Sequence, residues 1–337
     1  MTSTSIKSIL ALLLTTFFVF SFIGCNKNDN EDRTEGSAKA ASQTAAKTES
    51  KATPSKNVSE EDKTVSYPLT VTDSYGRTVT IKKEPQRIIS AGPNITEIIY
   101  ALGLGEKLVG RTDYCDYPEE VKNVQSIGPI DPPNIEKIVE LKPDLVLVSA
   151  HFKLEVAQQL EELGIAVVGF YSDESFEGGY DTIRNVGHVL NRENEAESII
   201  SSMKQKVEEI TAKVKGLDRP LVYYVSDYYN GAYTAGGDTF IGQLIEMAGG
   251  ENAAGDVKGW VYSLEKLVEK NPDIMVCSKF WGYKEGIEQT EVYKDLDAVK
   301  NGRLFEIDDN MIIRQGPRLA DGLEALARII HPEAFEN

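Results

Sequence analysis

Apolar residues are distributed along this chain in three regimes. From Ile9 to Ile23 they form an almost unbroken run behind a single positive charge at Lys7. Over 26–66 they nearly vanish, leaving Ser, Thr, Ala, Lys, Glu, Asp and Asn without one aromatic residue. From Tyr67 onward, short strand-like runs alternate with helical spacing. The first regime has the length and flanks of an export signal and is too short and too early for a transmembrane span. The second cannot bury enough surface to offset chain entropy and reads as a tether.

Within the third regime, residues 69–81 alternate around Asp73-Ser74-Tyr75-Gly76, a hairpin signal. The pattern then predicts a strand over 87–90, a helix over 94–102 stopped by Gly103, and a strand over 108–111. A helix over 135–141 ends before Pro143, and strand 144–148, helix 156–163 and strand 165–170 follow. Such alternation predicts a parallel sheet covered by helices. Residues 193–215 differ: Ala196, Ile199, Ile200, Met203, Val207, Ile210 and Val214 keep helical spacing over about six turns. That helix would span on the order of 35 Å at 1.5 Å per residue, enough to reach from one domain to another. Beyond Gly216 and Pro220 the alternation resumes, with strands over 221–225, 274–277 and 303–307 and helices over 239–248, 264–270 and 319–330.

The second half echoes the first. Ile135-Glu136-Lys137-Ile138-Val139-Glu140 precedes Pro143-Asp144-Leu145, and Leu264-Glu265-Lys266-Leu267-Val268-Glu269 precedes Pro272-Asp273-Ile274, all at a constant offset of 129 (264 minus 135). Ser90-Ala91-Gly92 and Thr234-Ala235-Gly236 each open a helix that stops at glycine. The expected fold is therefore α/β: two similar Rossmann-like lobes joined by one long helix, with a ligand cleft between them at the carboxyl ends of the strands. The expected divisions are a signal segment (1–24), a tether (25–66), an N-terminal lobe (67–190), the connecting helix (191–216) and a C-terminal lobe (217–337).

Charge and cysteine count narrow the function. With 36 Lys and Arg against 53 Asp and Glu, the net charge is −17, which argues against nucleic acid as a partner. Three cysteines and three histidines, with no CxxC, give neither a disulfide scaffold nor the usual zinc spacing. No GxSxG, P-loop, HExxH or full GxGxxG is present. An enzyme on this fold, or a lipoprotein that recognises a protein or cell-wall polymer, stands as the alternative to a carrier.

Two resemblances sharpen the picture. Phe22-Ile23-Gly24-Cys25 resembles a bacterial lipobox, which implies lipidation at Cys25 and a place on the extracytoplasmic face of the cell membrane. The segments PQRIISAGPNITEIIYALG, VGRTDYCDYPEEVKNVQSIG, NIEKIVELKPDLVLV and AGGENAAGDVKGW resemble the helical-backbone class of ABC importer substrate-binding proteins, which bind ferric siderophores, haem or cobalamin. TDYCDYP and GGEN look closest to the cobalamin-binding branch. The resemblance implies a monomer without a cofactor of its own, whose metal arrives inside the bound chelate. It implies permease docking through Glu136 and Glu265, one per lobe, onto a permease dimer with ATPase subunits inside the cell. The other reading of each is a solvated glutamate in a helix first turn.

The same resemblance implies ligand contacts from Tyr114, Tyr233 and Trp260, with Asn310 and Arg314 in the next loop; flat aromatics bury much area at little entropic cost. The chain departs from the pattern at Ser149-Ala150-His151, where a large aromatic is expected. That leaves open a haem iron meeting His151 or Tyr114. Arg314 and Arg318 read either as partners of ligand carboxylates or as surface ion pairs. Most of Tyr223, Tyr224, Tyr228, Tyr229, Phe280 and Trp281 read as packing. Cys115 and Cys277 fall in different lobes, and the long helix should keep ligand-induced closure small.

Overall fold

The computed structural model describes residues 65–229 and 231–336. The signal segment, Cys25 and all but the last two residues of the expected tether lie outside the described residues. Strands β1 (Leu69–Thr72) and β2 (Thr78–Ile81) form an antiparallel hairpin. The Asp73 carboxylate closes its turn by accepting from the Tyr75 and Arg77 amides at 3.1 and 3.0 Å. There follow β3 (Ile88–Ala91), α1 (Pro93–Ala101), β4 (Leu108–Arg111), α2 (Ile135–Glu140), β5 (Leu145–Val148), α3 (Leu154–Glu162), β6 (Ala166–Gly169) and α4 (Phe176–Val189). Helix α5 (Glu193–Val214) leads to β7 (Leu221–Val225), β8 (Ala232–Tyr233), α6 (Phe240–Met247), β9 (Glu251–Asn252), β10 (Val261–Tyr262) and α7 (Leu264–Lys270). The chain ends with β11 (Ile274–Ser278), α8 (Tyr283–Gln289), α9 (Asp297–Lys300), β12 (Leu304–Ile307), α10 (Asn310–Ile313) and α11 (Leu319–Ile330).

Each lobe is built on a four-stranded parallel sheet, ordered β4-β3-β5-β6 in the first and β9-β7-β11-β12 in the second. The orders match strand for strand, so the sequence repeat is a structural repeat. It persists in detail at the 129-residue offset. The side chains of Asn134 and Ser263 cap α2 and α7 by accepting from the Lys137 and Lys266 amides. Lys142 and Asn271 end those helices in the left-handed region, at φ of 47° and 40°. Asp144 and Asp273 then pin the starts of β3 and β7. Asp144 accepts from the Gln86 and Arg87 amides at 2.9 and 3.1 Å, and Asp273 from the Leu221 amide at 2.7 Å.

The period-2 alternation of the strands sorts their side chains between cores. Leu145 and Leu147 of β5 face a cluster that also takes Val222 and Tyr224 of β7 and Ile274 and Val276 of β11. Val146 and Val148 face an outer core of the first lobe, and Tyr223, Val225, Met275 and Cys277 an outer core of the second. The inner faces of both sheets thus share one apolar cluster. Helix α5 contributes Ala196, Ile200, Met203, Ile210 and Val214 to it, its apolar stripe lying against α4 and α11. Phe176 of α4 meets Phe240 of α6 edge-on, ring centroids 5.6 Å apart, across the lobes.

Two differences from the sequence reading bear on how the lobes are built. Helix α4 is not announced by the pattern, because glycines interrupt it. They are needed for close approach: a Cβ at Gly187 would lie 2.6 Å from Ala196 Cβ on α5, and one at Gly179 2.9 Å from Leu319 Cδ1 on α11. The second is Thr234-Ala235-Gly236, which follows not a strand of the main sheet but β8, paired antiparallel with β10 in a two-stranded ribbon.

A shared core couples the lobes thermodynamically. Both tryptophans, Trp260 and Trp281, lie in the second lobe. Tryptophan fluorescence and far-ultraviolet dichroism should therefore report one coincident urea transition, and two separated midpoints would contradict the shared core. Leu147→Ala, in the first lobe, should shift both signals together and cost about 2–5 kcal/mol.

Candidate functional site

The floor between the lobes is ionic. Glu97 projects from α1 and is 3 % exposed. A buried carboxylate needs charged partners, since desolvating it alone costs several kcal/mol. Both come from the opposite lobe. Arg318 donates from Nε at 2.8 Å and Nη2 at 2.6 Å, a forked pair, and Arg314 donates from Nη1 at 2.9 Å. Arg314 also donates to Asp116 at 2.7 Å and to the Tyr114 carbonyl at 3.4 Å. The Arg318 guanidinium lies 4.0 Å from the centroid of the Tyr117 ring and 3.8 Å from Asp308. Burial works to lower the pKa of both guanidiniums, but the hydrogen bonds that Arg314 donates to Asp116 and Glu97 outweigh it and hold Arg314 above the usual arginine value; those to Glu97 do the same for Arg318. Two cations thus face three carboxylates. Neither arginine is an ordinary surface pair, and neither is unpaired. The same floor borders an inter-lobe groove of about 590 Å³ lined by Glu97, Tyr117 and Arg318 among others.

The aromatic candidates stand above this floor on carboxyl-end loops. Tyr114, in the loop after β4, is 56 % exposed. Tyr233 is half-buried in β8 and pairs in register with Val261, and Trp260 beside it is 39 % exposed, its carbonyl accepting from the Thr234 amide at 2.9 Å. Trp260 lines a small cavity of about 50 Å³ with Glu174 of the first lobe and Phe240, Ile312, Ile313 and Gln315 of the second. Asn310 is half-buried in the first turn of α10, and Arg314 follows the last. The structure therefore joins Tyr233 to Trp260 on the ribbon, Asn310 to Arg314 through α10, and Arg314 to the Tyr114 loop.

Other residues take places that the sequence reading did not assign. Gln315 bridges the lobes, its Oε1 accepting from the Ser175 amide at 3.3 Å and its carbonyl from Asn94 Nδ2 at 3.4 Å. Its Nε2 is buried without a hydrogen-bond partner. Tyr223, Tyr224 and Tyr228 are buried packing residues, but Tyr229 and Trp281 are 68 % and 85 % exposed at the carboxyl ends of the second sheet. His151 is exposed in the turn after β5. Cys115 and Cys277 are both free and buried, and burial pushes the Cys277 thiol up to about 12. Among the described residues no group of three His, Cys, Asp or Glu side chains is arranged to hold a metal ion. Away from the cleft, Glu136 and Glu265 occupy equivalent first-turn positions of α2 and α7, and both are exposed. Ser263 donates to the Glu265 carboxylate at 2.5 Å and lowers its pKa.

Comparison with known proteins places this geometry. The model of the periplasmic binding protein family matches residues 88–311. The uncharacterized ABC transporter substrate-binding lipoprotein YvrC of Bacillus subtilis is 37 % identical over 82 % of this chain and 90 % of its own length. A cobalamin-binding protein of Halobacterium salinarum is 28 % identical over 80 % of this chain and 76 % of its own. Among solved structures, a possible iron-binding, periplasmic solute-binding protein of Staphylococcus epidermidis superposes with a TM-score of 0.66 at 33 % identity, over 74 % of this chain and all of that one.

The ionic floor makes a stability prediction. Glu97→Gln keeps the shape but leaves two largely buried guanidiniums short of their shared charge. Urea unfolding should show a loss of about 3–5 kcal/mol. A loss under about 1 kcal/mol would give the bridge no more weight than an exposed pair.

Proposed function

Because the chain belongs to the periplasmic binding protein family, we propose that it serves as the substrate-binding lipoprotein of an ABC importer, capturing a metal chelate between its lobes outside the cell and delivering it to the permease. The observation that carries this reading is the structural repeat. It sets one exposed glutamate, Glu136 or Glu265, at the same place on each lobe, while the carboxyl-end loops of both sheets converge on a cleft. A two-lobed body with paired carboxylates can straddle a two-fold permease, so that each glutamate meets a basic side chain on one permease subunit. The ATPase subunits then lie on the inner side of the membrane. Lipidation at Cys25 holds the chain near that permease, and residues 26–66 give it reach. The protein acts as a monomer and does no chemistry on its ligand.

For the ligand, we favour a corrinoid. Exposed aromatic side chains at Tyr114, Trp260, Tyr229 and Trp281 offer flat apolar area, and Tyr233 and Asn310 offer polar contacts. The cleft arginines are already neutralised by Glu97, Asp116 and Asp308. A chelate edged with neutral amides suits that wall better than one that depends on carboxylates, which would have to displace an existing pair. Arg314 on this reading holds the floor and the Tyr114 loop in place beneath the ligand. The cobalamin-binding relative agrees with the choice. The metal is cargo, carried within the chelate, and the protein needs no cofactor of its own.

A thermal-shift and absorbance titration with cobalamin, cobinamide, haemin and several ferric siderophores tests the ligand. A corrinoid at one hundred times its Kd should add ~2.7 kcal/mol of stability. Saturable binding of haemin alone would reject the corrinoid, and no saturable binding by any of them would favour a polymer- or protein-recognising lipoprotein. For docking, E136K with E265K should abolish cellular uptake and leave ligand affinity unchanged; undiminished uptake would reject the paired glutamates.

A further inference from the structure

The repeat preserves more than the fold requires. Asn134 and Ser263 cap their helices, Ile138 and Leu267 are fully buried, Lys142 and Asn271 make the left-handed exit, and Asp144 and Asp273 pin the starts of β3 and β7. Each of those positions has a structural reason. Glu136 and Glu265 have the docking role proposed above. Val139 and Val268 have neither. They share the 129-residue offset, yet they are 43 % and 53 % exposed. Local preference does not account for them either, since a β-branched side chain is a poorer helix former than the Ala, Leu, Lys or Glu that an exposed position accepts. One solvated valine on a surface is ordinary. Two at the same place in two lobes, each three residues beyond the glutamate and so on the same helix face, form a pattern.

A second observation lies beside Val268. This residue borders a groove of about 500 Å³, together with Asn271, Val292, Lys294 and Leu296. The groove, whose lining also includes Glu291 and Asp295, lies next to the helix that carries Glu265, so a side chain reaching that carboxylate from outside meets the exposed Val268 one turn away. Lys266 and Lys270 of the same helix are drawn to Asp256, at 3.1 and 3.3 Å, which leaves Glu265 without a cationic partner among the described residues. Glu136 likewise has no ion pair there. Each lobe therefore presents an unneutralised carboxylate and an exposed valine, side by side.

We propose that Val139 and Val268 are the apolar half of the permease-docking surface. The partner is a symmetric membrane dimer that offers each lobe a basic side chain flanked by an apolar one, with the second seated on the valine. The proposal rests on the docking role of Glu136 and Glu265 and extends it. The carboxylates act at long range on encounter and orientation, whereas valine burial acts only in contact and sets how long the complex lasts.

The test uses the full-length lipidated chain and the permease–ATPase complex copurified with it, reconstituted in nanodiscs, with association and dissociation followed at several salt concentrations. V139S and V268S should each raise koff about tenfold, as expected from removing roughly one buried valine side chain. They should change kon by less than about twofold, and the double variant should approach a hundredfold in koff if the sites are independent. E136Q with E265Q should instead lower kon and flatten its salt dependence. Unchanged melting temperature in V139S and V268S would show that the free protein is intact. If the glutamine variants weaken binding and the serine variants leave koff within twofold, the valine proposal fails and the glutamate reading stands. If the glutamine variants bind and transport normally, the docking reading fails, and this extension with it. Sedimentation of the full-length chain in detergent covers the remaining occupant: a self-associated form that V139S and V268S abolish would assign the valines to a second copy of this chain and overturn the proposal.

Discussion

Everything in this molecule is arranged around one apolar cluster that belongs to both lobes. An ordinary two-domain protein gives each domain its own core and joins them through a thin connection, and the domains then move by default. Here the inner faces of both sheets, with α1, α4, α5, α6 and α11 between them, bury their side chains together. Opening the lobes widely would expose part of that cluster to water, at about 25 cal/mol for each Å². Helix α5 is part of the cause rather than a strut laid over it, because its buried stripe completes the shared core. Such a core disfavours wide opening of the lobes.

The ionic bridge is placed where that core meets the cleft, and the two constrain each other. Low dielectric beside the apolar cluster strengthens the attraction between Glu97 and its arginines and also raises the cost of leaving any of them alone. The bridge therefore adds little net stability compared with packing, but it fixes which loop of one lobe faces which of the other. Arg314 reaches the Tyr114 loop and Gln315 reaches Ser175, so the aromatic wall of one lobe is registered against the other by directional bonds. An apolar floor would join the lobes without setting that register. The arrangement also decides what the cleft can accept, since its positive charge is already matched.

Most of the framework was legible in the sequence because period and punctuation are local signals. The six-turn stripe over 193–215 became α5, and the strands at 108–111 and 221–225 fell where alternation put them. The constant repeat offset anticipated the common strand order of the two sheets. Helix α4 escaped for a physical reason. Its Phe176, Tyr180, Ile183 and Val186 keep helical spacing, but glycine costs about 1 kcal/mol against alanine in a helix and reads as a break. Those glycines answer to α5 and α11, which are distant in sequence. The site was legible only in outline. Its aromatic candidates fell on cleft loops, but nothing local to α1 tells that Glu97 is buried, because its partners lie more than two hundred positions away. Arg314 was identified as a cleft residue, and its carboxylate partners were not. Exposure at Tyr229 and Trp281, against burial at Tyr223 and Tyr228, is likewise a tertiary fact.

The repeat itself suits the two unlike partners proposed above. On the side of α2 and α7 the halves agree role for role: cap, glutamate, buried aliphatic, valine, left-handed exit and strand-pinning aspartate. At the other end of the same strands the agreement stops. Beyond β5 stand Ala150, His151 and Phe152, and at the same offset beyond β11 stand Lys279, Phe280 and Trp281. Phe152 is 2 % exposed where Trp281 is 85 % exposed. Helix caps and buried aliphatics explain some of the agreement, because a stable lobe needs them in either half. They do not explain matched exposed positions, which the fold leaves free. A two-fold partner rewards equality at those positions, since each lobe must meet the same surface. A single asymmetric ligand in the cleft rewards difference, because its two faces present different chemistry to the two lobes. Symmetry kept at one end and lost at the other is what a duplicated α/β unit should show when a dimeric membrane protein reads its outer helices and one small molecule reads its cleft.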